Sequence, residues 1–148
     1  MQEKIAYLYK KTSVTTKSPG ELILLLYEGA ITFLKKAENV LRQGSLKKFE
    51  FIHNSIVSCQ NILSELSVSL DTRYNGDVAR NLFQLYEYMN YRLFKANIEK
   101  DVNAIIEVRE LLSSLKSAWE EAVKREGKSK LNQENISQNS FKNIDARG

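Results

Sequence analysis

The stretch "TTKSPGELILLLYEG", residues 15–29, contains a complete helix start. The side chain of Ser18 can accept a hydrogen bond from a free N–H of the first turn, and Glu21 can reach back to the N–H of Ser18, which together form a capping box. Pro19 stands at the first helical position, where its missing N–H costs nothing. The stretch therefore predicts a helix that begins at Ser18–Pro19 and leaves residues 1–17 outside.

Working outward from this start, four segments of the chain carry apolar residues in alternating steps of three and four. This period keeps one face of a helix turned inward along its whole length. We expect the strongest core positions among these residues to be Leu26, Phe33, Ile56, Leu63, Tyr86, Met89, Leu93, Leu112 and Trp119. The four stripes are Ile23, Leu26, Ala30, Phe33, Ala37 and Val40; Phe49, Ile52, Ile56, Cys59, Leu63, Leu66 and Leu70; Ala79, Leu82, Tyr86, Met89, Leu93 and Ala96; and Ile105, Val108, Leu112, Leu115, Trp119 and Ala122.

The breaks between the stripes are short and contain helix-capping residues. They fall at Gly44-Ser45, at residues 71–77 and at residues 99–101, with caps expected from Ser45, Asp77 and Asp101. Short connections between long helices make neighbours run antiparallel. The sequence predicts an all-α, up-down-up-down four-helix bundle over residues 18–126. An N-terminal segment, 1–17, would precede the bundle as a cap over a groove, and a polar, mobile tail, 127–148, would follow it.

Composition limits the class of protein. A chain of 148 residues with a net charge of +4 is long enough for one domain with its own core. The basic residues are dispersed and no nucleic-acid motif accompanies them, so we expect no nucleic-acid partner. No apolar block approaches the roughly 20 residues of a membrane span, and no signal peptide is visible. We expect a cytoplasmic protein without direct membrane insertion.

The residue types that carry enzyme and metal chemistry are scarce. The chain has one histidine and one cysteine. Glu50 and His53 match half of a carboxylate-bridged di-iron signature, but the other half needs a second histidine. Cys59 lies on a core stripe and is expected to be a buried, inert thiol. The sequence predicts no cofactor, no metal site and no catalytic residue, which favours a binding protein over an enzyme.

Apolar residues outside the core stripes outnumber what a bundle needs. One reading is a wide core with singly exposed apolar residues; the other is an apolar surface that something covers. Three covers remain open: a second copy of the chain, a partner helix, or the N-terminal segment. The additional residues on the first helix form a second stripe, Leu24, Tyr27, Ile31 and Leu34.

Three stretches resemble one known family. "SVTTKSPGELILLLYEGAI" (13–31), "NILSEL" (61–66) and "LYEYMNYRLFKANIEKDVNAIIEVRELLSSLKSAW" (85–119) are similar to the flagellar secretion chaperone FliS family, in the order and spacing of all four helices. The resemblance runs from about Val14 to Trp119. At the N-terminus, the family often has a Tyr-x-x-Tyr pair, whereas Tyr7 and Tyr9 here are separated by one residue.

This resemblance implies a cytoplasmic export chaperone. Such a protein binds the disordered C-terminal segment of flagellin in apolar grooves, prevents premature polymerisation and delivers flagellin to a component of the flagellar type III export gate. The alternative is a structural, homodimeric helical bundle with no export client. From the apolar excess and the resemblance together, we expect the partner-binding residues to be Tyr7, Leu8, Tyr9, Leu24, Tyr27, Ile31, Leu34, Ile62, Leu85, Tyr88 and Tyr91.

Overall fold

The computed structural model describes residues 18–44, 48–70 and 76–147, with side chains up to residue 128. Within these ranges the chain forms four helices and no strand: α1 (Pro19–Arg42), α2 (Phe49–Val68), α3 (Gly76–Glu99) and α4 (Val102–Arg147). Each helix packs mainly against two others, α1 and α3 both lying against α2 and α4. The predicted four-helix bundle is confirmed.

The first helix begins where the sequence predicted. The Oγ of Ser18 accepts a hydrogen bond from the backbone N–H of Glu21 at 3.2 Å, with Pro19 in the first turn. After the helix ends, Gly44 has a φ of +67°, a left-handed conformation that glycine adopts without a steric cost. Ser45, the expected cap of the next helix, lies outside the described residues.

The start of α4 also follows the prediction. Asp101 caps it, because its Oδ1 accepts the backbone N–H of Asn103 at 3.0 Å. The start of α3 differs, since that helix begins at Gly76 and therefore includes Asp77 in its first turn. There the Asp77 carboxylate pairs with Arg80 at 2.6 Å instead of capping the helix. The predicted break at residues 71–77 therefore ends before Gly76, which belongs to the helix.

The fourth helix is longer than the heptad pattern. Its 46 residues correspond to about 70 Å, against about 36 Å for the 24 residues of α1. The backbone remains helical through Gly127, where the sequence predicts the beginning of a tail. A helix can continue without an apolar face packed on the core, because its backbone hydrogen bonds are formed within the helix. The mobility of residues 127–148 in solution stays a prediction.

The core contains most residues of the four stripes. Leu26, Ile56, Leu63, Tyr86, Met89, Leu93 and Leu112 are buried, and Phe33 and Trp119 are half-buried against them. Cys59 is buried too, and burial raises the pKa of its thiol, which keeps it protonated. One charged residue joins this core, since Glu38 is only 9% exposed. Its carboxylate lies 2.8 Å from Arg109 Nε on α4 and 3.2 Å from Arg42 on the next turn of α1.

Candidate functional site

An apolar cavity of about 350 Å³ opens at one end of the bundle. All four helices contribute to its wall, because antiparallel packing brings the starts of α1 and α3 beside the end of α2 and the middle of α4. The polar side-chain groups among its described lining residues are the hydroxyls of two tyrosines and of Ser69 and the indole N–H of Trp119. The Ser69 hydroxyl donates to the carbonyl of Leu66 at 2.7 Å. The lining residues are Ile23, Tyr27, Leu66, Ser69, Leu70, Val78, Ala79, Leu82, Tyr86 and Trp119.

Two tyrosines contribute to the inner wall of the cavity. Tyr27 on α1 and Tyr86 on α3 are 2% and 3% exposed, and their hydroxyl oxygens lie 2.5 Å apart in a hydrogen bond. Burial raises the pKa of both phenols, so both stay neutral at physiological pH. Because one phenol donates its O–H to the oxygen of the other, the pair leaves a single O–H donor, and the inner wall offers mainly apolar contact.

The rim is fixed by a contact between α1 and α4. Trp119 donates its indole Nε1–H to the backbone carbonyl of Gly20 at 3.0 Å. This close approach requires a glycine, because a Cβ at position 20 would lie 2.9 Å from Cγ2 of Val123. The first turn of α1, two residues after Ser18, is therefore tied to Trp119 in the cavity wall.

The cavity suits apolar side chains. Among the described residues, its lining consists mainly of leucine, isoleucine, valine, alanine and aromatic side chains and includes no carboxylate, lysine or histidine. Elsewhere, Nδ1 of the exposed His53 lies 2.8 Å from Nδ2 of Asn97. Among the described residues, no three histidine, cysteine or acidic side chains are placed to hold a metal ion. Within the same ranges, no helix combines the length and apolar character of a membrane span.

The residues predicted to bind a partner do not share one environment. Tyr7, Leu8 and Tyr9 lie outside the described residues. Leu24 and Leu85 are half-buried, whereas Tyr88 and Tyr91 are 44% and 57% exposed on α3. Tyr27 faces the cavity but is otherwise enclosed.

The second stripe of α1 requires a correction. Ile31, Leu34 and Ile62 were expected at a surface, but their exposed fractions are 8%, 0% and 0%. The core face of α1 lies between the two stripes recognised in the sequence, because α1 packs against both α2 and α4. A helix with two packed neighbours buries an arc wider than one heptad stripe. The same arc explains why Phe33 and Val40, at its edge, are only half-buried.

The cavity itself was missed as a site. Ile23, Leu66, Leu70 and Leu82 belong to the predicted core stripes, and Val78 carried no signal of its own. These residues stand at the ends of their stripes. At the end of a bundle a stripe runs out of opposing side chains, so a core position becomes a cavity wall. In the sequence, the signal that could have predicted the cavity was the position of these residues at the ends of their stripes.

The chain has clear relatives. The family model "Flagellar protein FliS" matches residues 1–126. The flagellar secretion chaperone FliS of Salmonella typhimurium is 38% identical over 113 residues, which cover 75% of this chain and 81% of that protein. The Bacillus subtilis chaperone of the same name is 31% identical over 120 residues, covering 81% of this chain and 86% of its own length.

A solved structure agrees on the fold. A crystal structure of a bacterial flagellar chaperone superposes with a TM-score of 0.66 at 19% identity, covering 84% of this chain and 99% of that one. At this identity the likeness concerns the fold alone, and the sequence relatives determine the family. The chain belongs to the FliS family of flagellar secretion chaperones.

Proposed function

We propose that this protein binds the disordered C-terminal segment of flagellin in the cytoplasm, prevents its premature polymerisation and delivers it to a component of the flagellar export gate. The observation that carries the proposal is the apolar cavity that all four helices line at one end of the bundle. A chaperone for a disordered segment needs preformed apolar sites, since ordering the segment costs roughly 2–5 kcal/mol that apolar burial must offset.

The dimensions of the cavity suit the anchoring of a few client side chains and not the enclosure of a whole client segment. A volume of about 350 Å³ accepts one or two large apolar side chains, not a whole helix. The segment would therefore insert anchor residues here and continue along the outside of the bundle, as amphipathic helices do when they lie in grooves. The neutral tyrosine pair in the inner wall supports apolar anchors, because a charged anchor would lose its hydration without gaining a charged partner among the described lining residues.

We also propose that residues 1–17 cover the cavity when no client is bound. The chain joins the bundle at the rim, where Gly20 contacts Trp119. The nine residues from Tyr9 to Lys17 span at most about 30 Å when extended, so Tyr7, Leu8 and Tyr9 are within reach of the opening. A client anchor would then displace this segment, which makes binding depend on competition without nucleotide hydrolysis.

The test is a titration of the full chain with the C-terminal segment of flagellin from the same organism. Trp119 is the only tryptophan in the chain and lines the cavity, so its emission reports occupancy directly. We expect binding near one-to-one by calorimetry, a negative heat-capacity change, and a shift of the Trp119 emission.

A pair of variants tests the cavity as the binding site separately from flagellin binding as the function. Leu70→Asp places a charge in the cavity wall and should weaken binding at least about tenfold, because a buried unpaired carboxylate is costly. Val68→Asp is the matched control, since Val68 is 83% exposed two residues away and does not line the cavity. If the wild type binds the flagellin segment and Leu70→Asp binds it equally well, the cavity is not the binding site. No binding by wild type at any temperature would overturn the function.

A further inference from the structure

The described lining of the cavity contains four side-chain hydrogen-bond donors: the hydroxyls of Ser69, Tyr27 and Tyr86 and the indole N–H of Trp119. Two of these donors are engaged by backbone carbonyls, Ser69 at 2.7 Å and Trp119 at 3.0 Å. A third is used inside the tyrosine pair, because two phenols that share one hydrogen bond use one O–H between them. The O–H of the accepting phenol is left without an acceptor among the described residues.

The packing of the helices places this fourth donor at the inner end of the cavity. α1 and α3 lie diagonally across the bundle, each against α2 and α4, so Tyr27 and Tyr86 reach across its centre to meet. Ile23 and Leu82 precede them by four residues on the same two helices and line the cavity nearer its opening. At 1.5 Å of helix per residue, the tyrosine pair therefore lies about 6 Å deeper than these two side chains.

The donor is both permanent and shielded. Burial raises the pKa of Tyr27 and Tyr86, so each phenol keeps its proton at physiological pH. The two side chains are 2% and 3% exposed, which leaves the cavity as the place from which an acceptor can approach. A buried donor without an acceptor has a cost in free energy, and a ligand that brings an acceptor recovers it.

The surroundings of the donor favour a neutral hydroxyl as the acceptor. A carboxylate would lose its hydration beside a wall whose described residues include no cation. A side-chain amide would bring two N–H donors of its own into an apolar space. A hydroxyl accepts the free phenol O–H and donates its single proton to a lone pair of the other phenol oxygen, so all its hydrogen-bonding groups are satisfied.

The depth of the cavity decides which side chain can carry that hydroxyl. A client whose backbone stays at the opening must span about 6 Å to reach the pair. The hydroxyls of serine and threonine lie too close to the backbone for this, whereas a tyrosine side chain has the length. Its ring would lie between Ile23, Leu82 and Trp119, with an aromatic contact to the indole.

We propose that the cavity selects a neutral phenol, the tip of a tyrosine side chain, over a purely apolar anchor of the same shape. Tyr27 and Tyr86 are then the specificity-determining residues of the site, because together they supply the unengaged O–H. The inference rests on the proposed function for the client that presents the anchor. The recognition itself is a property of the cavity, so it can be measured without flagellin.

The experiment compares p-cresol, the tyrosine side chain without its backbone, with toluene, which lacks only the hydroxyl. The full chain is titrated with each compound at pH 7, where p-cresol is neutral, and Trp119 emission follows binding. The measured quantity is the ratio of the two dissociation constants, because a change in cavity shape or competition by residues 1–17 alters both constants alike. In the Tyr27→Phe/Tyr86→Phe variant, the relative preference for p-cresol should fall about fivefold to tenfold.

The single variants separate hydrogen bonding from packing. Tyr27→Phe and Tyr86→Phe each remove the shared bond but leave one O–H in the wall, so each should keep most of the wild-type preference for p-cresol. A role in packing alone would change the affinity for toluene as much as that for p-cresol. Thr32→Val is the matched control, because it deletes a hydroxyl on the exposed side of α1 and should change neither affinity.

Three results would overturn the proposal. In the first, the double phenylalanine variant keeps the full wild-type preference for p-cresol. In the second, one single variant loses that preference as completely as the double variant, which would mean that the pair does not share the donor. In the third, the wild type binds neither compound at millimolar concentrations. Because flagellin is absent from this assay, none of these results changes the outcome of the flagellin titration, which tests the function separately.

Discussion

The indole of Trp119 and the backbone carbonyl of Gly20 are joined by a 3.0 Å hydrogen bond across 99 residues of sequence. This bond holds the first turn of α1 against α4 at the rim of the cavity. It exists because position 20 has no side chain: a Cβ there would lie 2.9 Å from Val123 Cγ2, closer than real Cβ atoms approach their neighbours. One glycine thus determines how closely the first turn of α1 approaches α4.

We expect Gly20→Ala to lower the free energy of unfolding by about 1–3 kcal/mol, the usual cost of overpacking. The added methyl must separate α1 from α4 and lengthen the bond to Trp119. Urea unfolding followed by Trp119 emission measures both the stability and the environment of the indole. Gly127→Ala in α4 is the matched control, because a Cβ at this position would have no atom within 4 Å. It should raise the free energy of unfolding by about 0.5–1 kcal/mol.

A compensating change tests the cause of this loss. Val123→Ala removes the atom that the new methyl would meet, so Gly20→Ala should cost much less in a Val123→Ala background. Equal costs in the two backgrounds would show that the contact with Val123 does not limit the approach of the two helices.

The buried tyrosine pair predicts a non-additive mutational pattern. Tyr27→Phe leaves the Tyr86 hydroxyl buried without its partner and should cost about 1–3 kcal/mol of unfolding free energy. The double variant Tyr27→Phe/Tyr86→Phe leaves no unpaired hydroxyl and should be more stable than either single variant. Thermal unfolding of the four proteins measures the coupling. Additive losses would contradict a hydrogen bond between the two phenols.

The same pair predicts how stability depends on pH. Burial raises the pKa of Tyr27 and Tyr86 above the ordinary tyrosine value of 10.0, so the unfolded chain loses these protons first. Their contribution to stability is therefore complete below pH 10 and is lost as the pH rises above it. Urea midpoints at pH 8, 10 and 11 should fall more steeply for wild type than for the double phenylalanine variant. Parallel slopes would contradict the raised pKa values.

The sequence predicted the bundle well and its surfaces poorly, for a physical reason. Ser18, Asp101 and the heptad stripes act locally, so helix starts and core sides could be read directly. The width of a core face depends on how many helices pack against it, which is why Ile31 and Leu34 were expected at a surface and lie in the core. The cavity depends on where stripes end relative to one another, and that is a property of the assembled bundle.

The carboxylate of Glu38 illustrates a feature that patterning does not predict. Glu38 is only 9% exposed, and its carboxylate pairs with Arg109 of α4 at 2.8 Å and with Arg42 at 3.2 Å. We expect Arg109→Ala to cost about 1.5–3 kcal/mol, because a buried acceptor loses its better-enclosed charged donor. Asp77→Ala removes an ion pair whose two side chains are 87% and 72% exposed, and should cost under about 1 kcal/mol.

Chemical denaturation at two salt concentrations measures this difference. The Arg109→Ala loss should persist at high salt, since a buried pair is screened little, whereas any Asp77→Ala loss should fade. A Glu38→Ala/Arg109→Ala double variant more stable than Arg109→Ala alone would support an unpaired buried carboxylate as the cause. Equal losses in the Arg109→Ala and Asp77→Ala variants would contradict it.

The connection between α3 and α4 contains the last test. Lys100 has a φ of +54°, a left-handed conformation that strains a residue with a Cβ. Lys100→Gly and Lys100→Ala both lose the 2.6 Å bond to Asn97 and the contact with the Phe49 ring, so their difference isolates the backbone. Removing the strain outweighs the greater freedom of glycine in the unfolded chain, and Lys100→Gly should be the more stable by about 0.5–1 kcal/mol. Lys35, which is exposed and helical, serves as the control position. There the alanine variant should be more stable than the glycine variant by about 1 kcal/mol of unfolding free energy in urea. If the alanine variant is the more stable one at both positions, the left-handed turn before Asp101 does not persist in solution.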